Sequence, residues 1–208
     1  MARFTIIHHD SRLLVLDKPS GLLAVPGRGP ELQDCLTSRV QQVFPTARVV
    51  HRLDRDTSGL MLMALDLEAQ RQLSRQFEQR QVQKVYECVV SGQPASSAGL
   101  IDLPIGRDLT RPPRYRIDRD TGRASQTGWR LLQQQGDRAR LAIEPVTGRS
   151  HQIRLHLATI GHPILGDPLY ANPTALAAAD RLLLHARELS LAHPDDGRPV
   201  SWQSACPF

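Results

Sequence analysis

Several common chemical signatures are missing from this sequence of 208 residues. It holds three cysteines, which are far apart and form no CxxC pair, so neither a disulfide framework nor a zinc ribbon is expected. No stretch resembles a phosphate-binding P-loop, a dinucleotide-binding GxGxxG, a zinc-binding HExxH or a serine-hydrolase GxSxG. We therefore expect no metal site, no nucleotide-binding motif and no serine-hydrolase chemistry.

Long apolar runs are also absent, since none approaches the roughly 20 residues that span a bilayer. Near the N-terminus, His8, His9 and Asp10 interrupt any apolar leader segment. Hydrophobic residues make up 40% and charged residues 23% of the chain, which is typical of a globular protein with a sizeable core. We expect a cytoplasmic protein with no membrane segment, and we expect a monomer.

Lysine is scarce, because the 26 basic residues include only Lys18 and Lys84 and the others are arginines. The formal net charge is +5. Arginine binds phosphate through paired hydrogen bonds and stacks on bases, which favours a polyanionic partner. Genome composition can also replace lysine by arginine, so the charge alone does not identify a nucleic-acid-binding protein.

Apolar periodicity predicts strands and helices that are interleaved, with hairpins rather than regular βαβ units. Strands are predicted at 4–7, 13–16, 47–50, 59–65, 82–92, 126–132 and 140–145, and within 181–194 and 198–205. Helices are predicted at 31–44, 66–81 and 150–161, with Asp66 and Ser150 as N-caps. This order indicates an α+β fold with a mixed or antiparallel sheet.

The stretch VVHRLDRDTSGLML, residues 49–62, crowds charge between two apolar segments. Asp54 follows a predicted buried strand, and Arg52 and Arg55 beside it would keep it ionised. A carboxylate presented on such a loop can act as a nucleophile or as a base. Asp56 and the residues after it instead predict a turn stabilised by its own side chain. A plain solvated turn is the alternative for the whole stretch.

Two other side chains are candidates for chemistry. Within PVTGRSHQIRLH, Gly148 permits a tight turn, and Arg149 lies at a predicted helix start, where an anion is favoured. Tyr86 lies in the apolar strand KVYECVV, where its ring could stack on a base. Both residues also have plain explanations, because Arg149 could be a surface residue and Tyr86 a core aromatic residue.

Together these stretches resemble the RluA-type pseudouridine synthases over nearly the whole chain. The matching stretches, in order, are DKPSGLLAVPG, HRLDRDTSGL, KVYECVVSG, PVTGRSHQIRLHLATIGHPILGDPLY and RLLLHARELSLAHP. Each stretch alone is modestly specific. HRLD followed by TSG and then, roughly ninety residues later, by TGRSHQIR is highly specific for this family.

The resemblance implies a single pseudouridine synthase catalytic domain over residues 1–208. Its fold would be a mixed, mostly antiparallel, bent sheet with flanking helices, and two subdomains would surround a central RNA-binding cleft. The first motif lies close to the start of the sequence, so no N-terminal S4-like RNA-binding domain is expected. This organisation matches the compact branch of the family, whose best-known member modifies both 23S rRNA and tRNA. The implied reaction converts uridine in RNA to pseudouridine, with base flipping and without a cofactor.

The resemblance also assigns roles to individual residues. Asp54 matches the essential aspartate, and Tyr86 matches the tyrosine that stacks on the target uracil. Arg149 matches the arginine that pairs with the aspartate, and Arg52 matches the residue that enters the RNA stack as the target base leaves. DKPSGLLAVPG is interpreted mainly as an architectural loop, with Lys18 near RNA.

A basic stretch near residues 107–123 supplies candidates for phosphate contacts, which would give affinity and salt dependence but little sequence specificity. Together with Arg55, the predicted RNA-binding residues are Arg107, Arg111, Arg114 and Arg116, with Arg119 and Arg123 in the same stretch. A solvated hairpin is the alternative for this stretch.

Two other functions account for part of the sequence. A non-catalytic RNA-binding protein would explain the arginines, but it would not explain a carboxylate within HRLD, because a carboxylate repels phosphate. A uridine-directed hydrolase or nucleosidase would explain the carboxylate, but an enzyme for free nucleosides would not need so basic a surface.

Overall fold

The computed structural model describes residues 4–208. The three residues before them, which begin the N-terminal stretch used for the leader prediction, lie outside the described residues. The chain forms two compact units. The first runs up to Lys84 and also contains His185–Pro207, and the second consists of Val85–Leu184 and Phe208.

Helices are interleaved with groups of consecutive strands along the described residues, which confirms the predicted α+β class. The strands are β1 (Thr5–His9), β2 (Leu13–Lys18), β3 (Arg48–Val49), β4 (Ser58–Ala64), β5 (Gln83–Ser91), β6 (Ala98–Asp102), β7 (Ile105–Arg107), β8 (Tyr115–Ile117), β9 (Gln126–Gln135), β10 (Arg138–Pro145), β11 (Leu184–Ala192) and β12 (Pro199–Gln203). The helices are α1 (Leu36–Gln41), α2 (Leu67–Glu78), α3 (Gln152–Thr159) and α4 (Pro173–Ala177), with a short 3-10 helix at Pro30–Leu32.

In the first unit, antiparallel pairing joins β1 to β2, β2 to β4, β3 to β4 and β11 to β12. Only the start of β11 pairs with β4 in parallel, through His185 opposite Ser58 and Ala186 opposite Gly59. Every residue of β4 is buried, and α2 covers the sheet with Leu73 in the core. As predicted, Asp66 caps α2 by accepting a hydrogen bond from the Ala69 N–H.

Gly59 allows β4 and β11 to approach each other closely. Its φ of 109° lies in a region that residues with a Cβ rarely adopt. A Cβ built on it would lie 2.3 Å from the Ala186 carbonyl oxygen, which is far inside van der Waals contact. The glycine of the TSG motif is therefore required by the fold, at the point where the Asp54 loop enters β4.

In the second unit, antiparallel pairs join β5 to β10, β10 to β9 and β9 to β6, while β7 and β8 form a separate hairpin. Buried side chains from these strands and from α3 form the core, including Cys88, Leu141, Ile143 and Leu157. The pairing of the predicted strands 126–132 and 140–145 is confirmed by β9 and β10, and Cys88 is fully buried.

Two predicted helices differ from the structure at their N-termini. The predicted helix 31–44 is divided, and α1 begins only after Cys35, whose extended backbone allows its Sγ to accept a hydrogen bond from the Ser38 N–H. The prediction that Ser150 caps the third helix is wrong. His151 is the N-cap in a left-handed conformation with φ of 57°, so α3 begins at Gln152.

Helix α4 and strands β6 to β8 were not predicted, because they are short and lie in segments rich in proline, arginine or small residues. No helix within residues 4–208 combines the length and the apolar character needed to cross a membrane.

Candidate active site

Asp54 is half-buried on the loop between β3 and β4, and a buried lysine holds the residue that follows it. Lys18 is fully buried, and its Nζ donates a hydrogen bond of 2.8 Å to the carbonyl oxygen of Arg55. The same Nζ donates to two carbonyls of its own loop, and the N–H of Gly21 also donates to the Arg55 carbonyl, at 2.9 Å. The backbone next to Asp54 is therefore fixed by the DKPSG segment.

The ammonium group of Lys18 is buried among carbonyl oxygens, and its position near RNA stays a prediction. The prediction for Asp56 is wrong. The turn is not stabilised by bonds from Asp56 to the residues that follow it. The Asp56 carboxylate instead accepts a hydrogen bond from Arg55 Nε at 3.0 Å, and its carbonyl accepts one from Ser20 Oγ at 2.7 Å.

A buried chain of side chains supports the far end of the Asp54 loop. Ser58 Oγ lies 2.9 Å from His185 Nδ1, and His185 Nε2 lies 3.1 Å from Ser204 Oγ. The Ser204 hydroxyl donates a hydrogen bond of 2.6 Å to Asp17. Ser204 Oγ is therefore the acceptor for the His185 Nε2–H. The chain joins the start of β4 to β11 and to the end of β2.

His51, the first residue of the HRLD motif, has a structural role. Its Nε2 accepts a hydrogen bond of 2.9 Å from the Leu62 N–H, and its ring stacks on Phe77 with centroids 4.6 Å apart. Burial, with a contribution from the positive charge of Lys84, lowers the pKa of His51 to about 3. The imidazole is therefore a neutral acceptor that ties the loop to β4. Arg52, the next residue, is exposed.

The other two predicted catalytic residues lie in the second unit. Tyr86 is on β5 opposite Ile143 of β10, and its half-buried ring packs against the core of that unit. Arg149 is exposed on the turn between β10 and α3. Its backbone N–H donates to Gln152 Oε1 at 3.0 Å.

Gln152 holds the Arg149 turn as Lys18 holds the Asp54 loop. Its buried Oε1 also accepts a hydrogen bond from Thr147 Oγ1 at 2.7 Å. Its Nε2 donates to the Gln126 carbonyl and to Thr127 Oγ1, each at 2.9 Å. One amide side chain therefore joins the TGR turn to the first residues of β9.

Tyr170 joins the start of α3 to the hairpin of β7 and β8, which carries part of the basic stretch. Its hydroxyl accepts a hydrogen bond of 2.8 Å from the Tyr115 N–H of β8, and it lies 2.9 Å from His151 Nδ1. Burial raises the pKa of Tyr170 to about 12, so the phenol keeps its proton. Below it, Arg154 and Asp167 form a bidentate pair at 2.8 and 2.7 Å that is almost completely buried.

The predicted RNA-binding arginines differ in their surroundings. Arg107 is exposed at the end of β7. Arg111 Nε lies 3.0 Å from Asp108, and an Arg116 nitrogen lies 3.3 Å from Asp118, although both arginine side chains remain largely exposed. The remaining predicted phosphate contacts are Arg55, which pairs with Asp56, Arg114, which lies over the Tyr170 ring, and the exposed Arg119 and Arg123.

The structure places Asp54, Arg52 and Arg55 in the first unit, and it places Tyr86, Arg149 and the arginines of the basic stretch in the second. Three residues that support these loops were not predicted from the sequence: Gln152, Tyr170 and His185. The only sequence sign was a polar residue beside an apolar segment, which does not identify its distant partner. Residues 4–208 contain no group of three or more His, Cys, Asp or Glu side chains arranged to hold a metal ion.

Comparison with known proteins identifies the family. The RNA pseudouridylate synthase family matches residues 12–159. Proteins named dual-specificity RNA pseudouridine synthase RluA are similar over 204 residues and 98% of this chain. The Yersinia pestis protein is 45% identical with 99% of its length covered, and the Escherichia coli K12 protein is 43% identical with 93% covered. The structure of human RNA pseudouridylate synthase domain containing 1 has 29% identity and a TM-score of 0.83, with coverage of 99% of this chain and 84% of that one.

The chain therefore belongs to the RNA pseudouridylate synthase family, as its motifs indicated. It is an isomerase that converts uridine in RNA to pseudouridine.

Proposed function

We propose that the substrates are specific uridines of 23S rRNA and of tRNA anticodon stem-loops, modified by one catalytic centre in which Asp54 is essential. The similarity to relatives named dual-specificity synthases over 98% of the chain supports two classes of substrate. The motifs of the compact branch support the particular pair. We expect the enzyme to act as a monomer in the cytoplasm, where both RNAs are made.

The main support for Asp54 is the way its loop is held. The carbonyl of the next residue accepts hydrogen bonds from both the buried Lys18 and the Gly21 N–H. A carboxylate on a loop fixed in this way loses little conformational freedom when substrate binds, and such positioning is a large part of catalysis. Asp54 is also the carboxylate of HRLD, the motif that is most specific for the family.

The reaction changes connectivity without net oxidation or group transfer. The C1′–N1 glycosidic bond breaks, the uracil turns over, and C5 bonds to C1′. The C5 proton then leaves and N1 gains a proton. Asp54 could attack C1′, remove a proton from C2′ to give a glycal, or attack the uracil ring. Each route begins with an ionised carboxylate.

The other predicted residues serve this step. Arg149 pairs with Asp54 and keeps it ionised, and its turn is made rigid by Gln152. Tyr86 stacks on the freed uracil, an interaction worth about 1–3 kcal/mol per base. Arg52 fills the gap that the flipped base leaves in the RNA. The arginines of the basic stretch bind phosphates and supply affinity.

The test uses 23S rRNA fragments and tRNA anticodon stem-loops that carry tritium at uracil C5. Wild-type protein should release tritium from both RNAs without cleaving the strand or releasing free uracil. Asp54→Asn should lose this activity by about 10³-fold or more while it still binds RNA, because the amide neither attacks nor removes a proton. Asp56→Asn is the matched control, since its carboxylate lies two residues away and pairs with Arg55. It should keep most of the turnover.

Arg149→Ala tests the ion pair with the same RNAs. Turnover should fall much more than RNA affinity, because the arginine acts on Asp54. Equal losses of turnover and affinity would instead make Arg149 a phosphate contact. Full turnover by Asp54→Asn would refute the catalytic assignment, and release of tritium from only one RNA class would refute dual specificity.

A further inference from the structure

The hairpin of β7 and β8 carries an apolar side chain that the fold does not use. Leu109 lies in the turn between these strands and is 86% exposed, more than any other large hydrophobic residue among 4–208. The strands themselves are anchored by the buried Ile105, which pairs with Ile117. Leu109 contributes almost nothing to the core, so its position in water calls for another explanation.

The turn that presents Leu109 is rigid. Oδ1 of the buried Asp108 accepts two hydrogen bonds from Thr110, one from its N–H at 3.1 Å and one from the Thr110 hydroxyl at 2.6 Å. It also accepts one from the Arg111 N–H at 3.2 Å. Its Oδ2 accepts one from Arg111 Nε at 3.0 Å. The Thr110 hydroxyl, the backbone amides and Arg111 keep the pKa of Asp108 below its usual value, so these bonds persist at neutral pH.

The base of the hairpin is fixed as well. The Asp108 N–H donates to the Arg114 carbonyl at 3.0 Å, and the Tyr115 N–H donates to the Tyr170 hydroxyl at 2.8 Å. Tyr170 also lies 2.9 Å from His151 Nδ1, two residues after Arg149. Because this hairpin is ordered before any partner binds, contact with Leu109 requires little loss of conformational entropy.

The surroundings of Leu109 favour RNA over a protein partner. The exposed Arg107 and Arg111 lie on either side of it in the sequence. Protein interfaces have an apolar centre made by several residues, whereas here one leucine lies among cations. Proteins that deform nucleic acids often insert one such apolar side chain between neighbouring bases, while arginines bind the adjacent phosphates.

We propose that Leu109 is a wedge that inserts between two stacked bases of the substrate RNA, while Arg107 and Arg111 bind the flanking phosphates. The inference rests on the proposed function, because it assumes a structured RNA whose target base must leave the stack. It adds a second insertion to that of Arg52, which fills the gap left by the flipped uridine. Unstacking a step near the target lowers the free energy needed for flipping.

The test compares Leu109→Ala, Leu109→Phe and wild-type protein, with Leu100→Ala as the matched control. Leu100 lies on β6 and is 61% exposed, so both alanine variants remove an exposed leucine from the same unit. RNA unstacking is measured with anticodon stem-loops that carry 2-aminopurine at each loop purine in turn. These measurements use the Asp54→Asn background, so that binding is observed without turnover. The kcat and KM for tritium release are measured with Asp54 intact.

Leu109→Ala should lower kcat/KM by about 5- to 30-fold, the range expected when one unstacked step is lost, and it should abolish the rise in 2-aminopurine fluorescence at one position. Leu109→Phe should keep both the kcat/KM and the fluorescence rise of wild type, because a ring also inserts between bases. Leu100→Ala should behave like wild type. All variants should unfold at the same denaturant concentration.

An unchanged fluorescence rise and unchanged kcat/KM in Leu109→Ala would overturn the proposal, and the exposed leucine would then suit a protein partner. Equal losses in Leu100→Ala would also overturn it. Failure of the proposed function is distinct, because wild-type protein would then release no tritium from either RNA. The fluorescence of the Asp54→Asn complexes would still decide whether Leu109 unstacks the loop.

Discussion

The Asp54 loop, residues 50–57, and the basic hairpin, residues 105–117, are held in opposite ways. The backbone of the Asp54 loop is fixed by Lys18, Ser20 and Gly21, which lie more than thirty residues earlier in the chain. The tip of the hairpin is fixed by Asp108, which bonds residues two and three positions after it. Asp118 similarly accepts hydrogen bonds from the two residues that follow Arg119.

This difference indicates that the two regions have different roles. Bonds between distant segments fix the backbone beside Asp54, the proposed catalytic carboxylate, and they are expensive to lose because they leave partly buried groups without partners. Local bonds fix only the shape of a turn, and they leave its arginines exposed for phosphate. Changes to the supports of the Asp54 loop should therefore impair folding and turnover, whereas loss of an exposed arginine of the hairpin should alter RNA affinity alone.

The largest effect should come from Lys18→Met, which removes the ammonium group while keeping most of the side-chain volume. The three carbonyls that accept from Nζ lose a donor, and each buried group that is left without a partner costs about 1–3 kcal/mol. We expect the free energy of unfolding to fall by about 3 kcal/mol or more, as measured by urea denaturation. The kcat of the folded Lys18→Met protein should fall by more than about tenfold, because the backbone beside Asp54 is no longer fixed.

Lys84→Met is the matched control for stability, since Lys84 is the only other lysine and is half-buried on β5. It should lower the free energy of unfolding by less than about 1 kcal/mol. If the two variants lose equal stability, the hydrogen bonds of Lys18 contribute no more to stability than the half-buried Lys84 does. The contrast between long-range and local support would then fail.

The sequence alone predicted the features that depend on neighbouring residues. Short apolar segments bounded by turn residues located β2, β4 and β9, and the Asp66 cap followed from a polar residue before an amphipathic helix. The motifs also indicated the family, which the comparison with known proteins confirms. These predictions succeeded because the information lies within about ten residues of the element itself.

The supports of the loops could not be predicted in the same way. Lys18 in DKPSG and Gln152 in TGRSHQIR have partners that only the fold brings close, so no local pattern distinguishes them from surface residues. The left-handed conformation of His151 also opposed a strong local expectation, since Ser150 is a preferred N-cap. Here the bonds of Gln152 decided where the helix begins, and tertiary contacts prevailed over propensity.

A smaller effect should appear when the pH is lowered, and it should separate the two regions. The folded-state pKa of His51, about 3, lies below the unfolded value of about 6.5, so the unfolded chain takes up the proton first. His51 therefore contributes stability that is fully present above pH 6.5 and is lost as the pH falls from 6.5 towards 3. Between pH 6.5 and 5 the loss should be at most about 2 kcal/mol.

His51→Gln is the variant that isolates this effect, because the Gln carbonyl can accept the hydrogen bond from the Leu62 N–H without titrating. Its urea midpoint should change less between pH 7 and pH 5 than that of wild type. Directly after the hairpin, hydrogen bonds from Thr121 lower the pKa of Asp118 to about 2, so its contribution is lost only in stronger acid. Parallel pH profiles for the two proteins would show that His51 is not the group responsible.

The smallest effect should come from Arg107→Gln in the hairpin. This exposed arginine would contact phosphate, so its loss should weaken RNA binding several-fold at low salt and reduce the slope of log Kd against log salt by about 0.7–0.9. The free energy of unfolding and kcat at saturating RNA should stay the same. Arg71→Gln, on the exposed face of α2, should leave the slope unchanged. If Arg107→Gln lowers kcat while the salt slope stays the same, the hairpin takes part in positioning the reaction, and the division between the two regions is not as sharp as their hydrogen bonds indicate.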